Sequence, residues 1–139
     1  MELKESKCVM VIDEELPLGL IANTAAVLAL TLGQKIEGII GPDVYDGTGY
    51  LHTGITTIPI PMLKGTREKI REMREKLYTE EFSDLLVVDV TNAAQTTTTY
   101  EDYTEKISLY GDDLQYVGLA IYGKPKKVNK LSGSLPLLR

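Results

Sequence analysis

The chain has 139 residues, 43% of them apolar, and carries 20 acidic against 15 basic side chains for a net charge of −5. That length suits a single domain over residues 1–139 with a core of its own. The acid excess opposes nonspecific attraction to a phosphate backbone, which makes nucleic acid a doubtful partner. One cysteine, Cys8, permits no intrachain disulfide and no cysteine cluster for zinc or iron and sulfur, so no metal or cofactor is expected.

Charged Glu2, Lys4, Glu5 and Lys7 open the chain where an apolar targeting segment would stand, and Asn23 and Thr24 interrupt the longest apolar helical region. A cytoplasmic setting without membrane contact is the expectation. The first strand is the apolar run Cys8 to Ile12, whose length and β-branched content suit a covered central strand. Pro17 then opens a helix in which Leu18, Ile21, Ala25, Leu28 and Leu32 recur at helical spacing. Leu20, Val27 and Leu30 make its other faces apolar too, so burial on more than one side is expected. Pro17 is tolerated in the first turn, and Gly33 is a reasonable stop.

Pro42 and the Asp46–Gly47 pair signal a turn or small hairpin between Gly41 and Tyr50. A strand is expected over residues 54–60, irregular or at an edge because Pro59 and Pro61 cannot donate to a ladder. Thr66 is placed to cap a helix whose stripe is Ile70, Met73 and Leu77, its other positions charged. A second buried strand, "DLLVVDV", leads into seven hydroxyl or amide side chains among the nine residues Thr91 to Thr99. A helix capped by Thr99 follows, then the strand "LQYVGLAIYG", then a short helix from Pro125 to Leu131. Strands alternating with helices point to a small α/β sandwich, with helices on both faces of a mixed or mostly parallel sheet.

No phosphate-binding glycine motif, HExxH or serine–histidine–acid arrangement is readable, and the single histidine, His52, reads as a loop or strand-end residue. The lysines and arginine from Lys124 to Arg139 read as a solvated edge or as a basic contact surface. Tyr45, Tyr50 and Tyr100 lie in or beside turns and are candidates for a pocket rim. The distributed polar groups carry more chemistry. The ends of the strands "CVMVI" and "LLVVDV" fall at the edge where α/β sheets receive ligands. There Asp89, Thr91, Asn92 and Gln95, with Thr96, would meet Asn23 and Thr24 from the apolar helix. Asp89 would be the general base or water-orienting group, and Asn23 and Asn92 would donate to a carbonyl or developing oxyanion. In the competing reading, Thr96 to Thr99 supply a helix cap and the rest make ordinary turn bonds.

The stretches "CVMVIDEELPLGLIANTAAVLAL" and "YVGLAIYGKPKKVNKLSG" resemble the domain of unknown function 2000 family, which is itself similar to type 2 peptidyl-tRNA hydrolases. The resemblance implies a three-layer sandwich around a four-stranded mixed sheet, and a homodimer. It also places Gly19 at the hydrolases' glycine, Leu20 where they carry a lysine, Thr24 at their glutamine and Asp89 at their strand-end aspartate. Loss of that lysine removes a cation where a tRNA backbone would need one. The expected function is a hydrolase-like domain with a pocket for a small polar ligand, its reaction open. A noncatalytic ligand-binding or homodimeric module is the first alternative, and peptidyl-tRNA hydrolysis the second.

Overall fold

A computed structural model describes residues 5–111 and 113–139. The apolar run at the start forms β1 (Lys7–Asp13), followed by α1 (Leu18–Lys35) and a projecting hairpin of β2 (Val44–Tyr45) and β3 (Leu51–His52). Next come β4 (Met62–Gly65), α2 (Arg67–Leu77), a 3₁₀ turn (Glu80–Phe82), β5 (Leu86–Thr91), α3 (Asn92–Gln95), α4 (Tyr100–Leu109), β6 (Tyr116–Gly123) and α5 (Pro125–Ser132). The main sheet has the order β4-β1-β6-β5. β1 is parallel to β4 and antiparallel to β6, and β6 is antiparallel to β5, so the sheet is mixed, as expected.

Alternation along β1 explains its continuous apolar sequence. Val9 and Val11 join Leu119 and Ile121 beneath Ile70, Met73 and Leu77 of α2 and Val128 and Leu131 of α5. Cys8, Met10 and Ile12 face the other way, into a cluster with Leu28 and Leu32 of α1. Both faces are covered, so both sets of positions are apolar. On the α1 side, a Cβ at Gly118 would stand 2.5 Å from Cγ2 of Thr24 and 3.3 Å from Cδ1 of Leu28. Only glycine lets the helix ride that close to β6.

Four sequence expectations need correction. The fourth strand is not at residues 54–60 but starts at Met62, directly after Pro61, whose carbonyl accepts the Met10 amide at 3.0 Å; pairing with β1 begins where the prolines end. α1 buries one stripe, Thr24, Leu28 and Leu32, because among the described residues no second layer covers its outer side. It also runs through Gly33 to Lys35, closed by the Ile36 amide on the Leu32 carbonyl at 2.9 Å. β5 is an edge strand, and from Leu86 to Asp89 it is only half-buried. By length and composition α1 is apolar enough to cross a membrane; in the fold it lies over β1, β6 and β5.

Candidate functional site

β1, β4 and β5 point the same way, so Asp13, Gly65 and Thr91 end together at one edge of the sheet. Three arginines of α2, spaced four and three residues apart and hence on one helix face, reach toward this end. Arg67 Nε lies 2.7 Å from Asp13 Oδ2, and Arg67 Nη1 donates to the Gln115 side-chain oxygen. Arg71 donates to the Leu114 carbonyl at 2.7 Å. Arg74 Nε lies 2.8 Å from Asp89 Oδ2, and its guanidinium sits 3.8 Å from the centre of the Tyr78 ring. Asp13 is 1% exposed, and its other oxygen accepts the Glu15 amide at 3.0 Å. Asp13, Arg67 and Arg74 escaped the sequence reading. The available signals were the carboxylate closing an apolar strand and the arginine spacing in "TREKIREMREKL".

The proposed catalytic trio is not brought together. Asn23 is exposed on the outer side of α1. Asp89 pairs with Leu119 in register and so faces α2, across the sheet, where Arg74 holds it. Asn92 accepts the Gln115 amide on its side chain at 3.3 Å and donates its own amide to the Gln115 carbonyl at 2.9 Å, which ties the end of β5 to the entry of β6.

The proposed ligand-binding set is divided in the same way. Gly19 is exposed in the first turn of α1, with open space around it, while Thr24 is buried against Gly118. Thr91 is fully buried, and its hydroxyl, like the half-buried Gln95 side-chain nitrogen, has no hydrogen-bond partner among the described residues. Thr96 donates to the Asn92 carbonyl at 3.1 Å and accepts from Lys106, and Thr97 donates to the Ala93 carbonyl at 3.0 Å. These two close the short α3, and Thr99 caps α4 by accepting the Asp102 amide at 3.1 Å. Much of the threonine run therefore has local backbone work.

A cleft of about 430 Å³ nonetheless opens beside it. One wall is Val88, Asp89 and Val90, three consecutive strand residues, so the cleft lies along the free edge of β5 and not over one of its faces. Val27 and Thr31 of α1 form its floor, and the segment Thr97 to Tyr103 forms the opposite wall. Of the three tyrosines expected at a pocket rim, Tyr100 lines it, while Tyr45 and Tyr50 project on the β2–β3 hairpin. Tyr103 packs edge-on against Tyr100 with ring centres 5.5 Å apart. Partial burial, then the neighbouring Asp89 charge, holds the Tyr103 phenol above its ordinary value, so it stays a neutral donor. Burial first, then Tyr78 and Asp89, pushes Tyr116 up to about 12.

His52 makes an ordinary pair with Asp46 across the hairpin at 2.7 Å. In the basic tail, Lys127 contacts Asp84 at 2.8 Å and Lys130 contacts Glu81, so that surface is in part internally neutralised.

The family model for a protein of unknown function, DUF2000, matches residues 6–139. The chain belongs to this family. Among solved structures it is similar to a protein of unknown function from Agrobacterium tumefaciens, with a TM-score of 0.85 and 19% identity over 96% of this chain and 97% of that one. At that identity the likeness shows the shared fold. No curated protein matches.

Proposed function

We propose that this protein is a binding domain for a small, neutral or cationic polar ligand, held in the cleft along β5. The carrying observation is the composition of that cleft. Among its described lining residues Asp89 is the sole charged one, the free edge of β5 borders it, and hydroxyls of Thr31, Thr98 and Tyr103 line it beside Val27, Val88 and Val90. An edge strand offers unpaired backbone donors and acceptors, and an amide or hydroxyl ligand matches these where a phosphate or carboxylate does not.

The hydrolytic reading has less support. Asp89 gives one oxygen to Arg74, Thr97 spends its proton on a backbone carbonyl, and the Thr99 oxygen accepts from an amide. Catalysis needs a base free to take a proton from water or a hydroxyl. Peptidyl-tRNA hydrolysis has the further obstacle that the cleft wall contributes no cation to meet the substrate backbone.

Nitrogen-15 correlation spectra titrated with N-acetylglycinamide and, separately, with the anionic N-acetylglycine test the reading. Shifts at Val88–Val90 and Thr97–Tyr103 with the amide, weakened in the anion, are expected. Shifts elsewhere, or equal response to both, overturn it. Single-turnover cleavage of peptidyl-tRNA that disappears in Asp89→Asn would replace it with the hydrolase reading.

A further inference from the structure

The chain covers one edge of its main sheet and leaves the other open. At β4, residues 135–138 of the tail lie along the outer side. The Lys64 amide donates to the Pro136 carbonyl at 2.9 Å and the Leu138 amide to the Met62 carbonyl at 2.8 Å, with Leu63 bridged antiparallel to Leu137. Leu135 packs on the α2-side core and Leu138 on the α1-side core, so the added segment sends side chains to both faces of the sheet. At β5, among the described residues, β6 is the one ladder partner and no segment pairs with the outer side. β5 contains no proline or lysine, the residues that commonly shield an edge, and stays regular up to the bulge between Val90 and Thr91. In an antiparallel ladder every second residue turns both its amide and its carbonyl away from the partner, so the cleft wall Val88–Val90 carries at least one such outward pair. That wall is about 10 Å long, the length of three residues of an added strand. The opposite wall, Thr97 to Tyr103, runs into α4, a helix that buries none of its side chains.

We propose, resting on the β5 cleft as the ligand site, that its occupant is an extended peptide segment of another protein, which adds to β5 as a strand in the way the tail adds to β4. The peptide main chain meets the outward amides and carbonyls of β5, and its alternate side chains meet the two faces of the sheet. Those faces set its sequence. Val88 and Val90 turn toward the α1-side core, and Val27 of α1 also lines the cleft, so apolar side chains fit on that side. Between them Asp89 turns toward α2. Arg74 holds its Oδ2 at 2.8 Å, and the carboxylate, 19% exposed, offers Oδ1 to a lysine. The segment is thus of the class apolar–lysine–apolar, in the register that puts the lysine opposite Asp89 as a cross-strand pair of opposite charge. A second copy fits less well: β5 paired with its own copy about the middle of the cleft wall sets Asp89 opposite Asp89, a pair of like charges.

The peptide acetyl-Thr-Val-Lys-Val-Thr-amide, titrated into the full chain and followed by nitrogen-15 correlation spectra and amide hydrogen exchange, tests this. Shifts along β5 are expected, with new exchange protection at alternate amides between Leu86 and Val90. Two further peptides carry a single backbone N-methyl, one on the lysine and one on the valine after it. Because every second amide of an added strand faces β5, one methyl should weaken binding about tenfold or more and the other leave it nearly unchanged. Norleucine in place of the lysine should weaken binding severalfold to the native chain and not to Asp89→Asn. Equal effects of the two methyls, or protection without alternation, overturn the proposal, and a norleucine peptide that binds the native chain equally well overturns the lysine assignment. A peptide that fails to bind while N-acetylglycinamide still shifts Val88–Val90 overturns the proposal and leaves the small-ligand reading standing; failure of both probes overturns both. A peptide-free chain that sediments at twice 15.4 kDa with its β5 amides already protected also overturns it, by placing a second copy on the edge.

Discussion

α1 and α2 cover opposite faces of one sheet with helix surfaces of very different composition. α2 buries Ile70, Met73 and Leu77 and surrounds them with charge, its outer side suited to water. α1 buries a stripe of the same size, Thr24, Leu28 and Leu32, but surrounds it with leucine, valine and alanine. Folding the domain needs only the stripe. The apolar remainder of α1 is left exposed by this fold, whereas the remainder of α2 answers to solvent and to the ion pairs that Arg67 and Arg74 make with Asp13 and Asp89.

The sharpest way to break this contrast is to cut into the two sides of α1 separately. Leu28 is fully buried, and Leu28→Ala should cost about 2–5 kcal/mol in denaturant unfolding by lost burial plus a cavity. Leu30→Ala, measured at a concentration where the chain is single, should stay within about 0.5 kcal/mol. Equal costs would mean that the outer side of α1 is packed within one chain and that the contrast with α2 is false.

Gly118→Ala probes the same layer from the sheet. The new methyl would stand 2.5 Å from Thr24 Cγ2, on a β-branched side chain whose χ1 is restricted in a helix, so Thr24 must change rotamer or α1 must shift, and a loss of about 1–3 kcal/mol is expected. At Gly123 the obstructing atom is the far end of the Leu85 side chain, Cδ2 at 2.3 Å, which can rotate away; Gly123→Ala should cost less. Chemical denaturation of the two variants side by side measures the difference, and the reverse order would mean that α1 is free to lift.

How far the sequence carried this picture follows from the range of each interaction. β1, the α2 stripe and the caps at Thr66 and Thr99 are set by residues close in sequence, and all were legible. The start of β4 depends on where β1 accepts a partner after two prolines, which a local pattern does not contain. For α1, apolar residues on every side make every side a candidate for burial, and the sheet alone selects among them. The same holds at the site: Asp89 reads as an unengaged strand-end carboxylate until the fold brings Arg74 beside it. Thr98 and Tyr103 could be picked out as polar residues near a turn, but the cleft arises because β5 is an edge strand, a property of strand order.

Cys8 gives a kinetic view of the α1 layer with no new side chain. It lies in the α1-side core, and burial pushes its thiol from an ordinary value of 9.0 up to about 12. The folded chain thus holds the proton more tightly than the unfolded one. The corresponding stability is whole below about pH 9 and is lost as pH rises toward 12. Since the thiolate is the nucleophile, a disulfide reagent at pH 8 should label Cys8 only when the layer opens, slowly and with a rate set by opening. Leu28→Ala and Ile70→Ala compared at equal global stability separate the two layers. Faster labelling in Leu28→Ala means that α1 lifts by itself, as a layer held by one stripe should. Equal rates mean that Cys8 is reached only through global unfolding, and that α1 and α2 differ in composition but not in how firmly they are held.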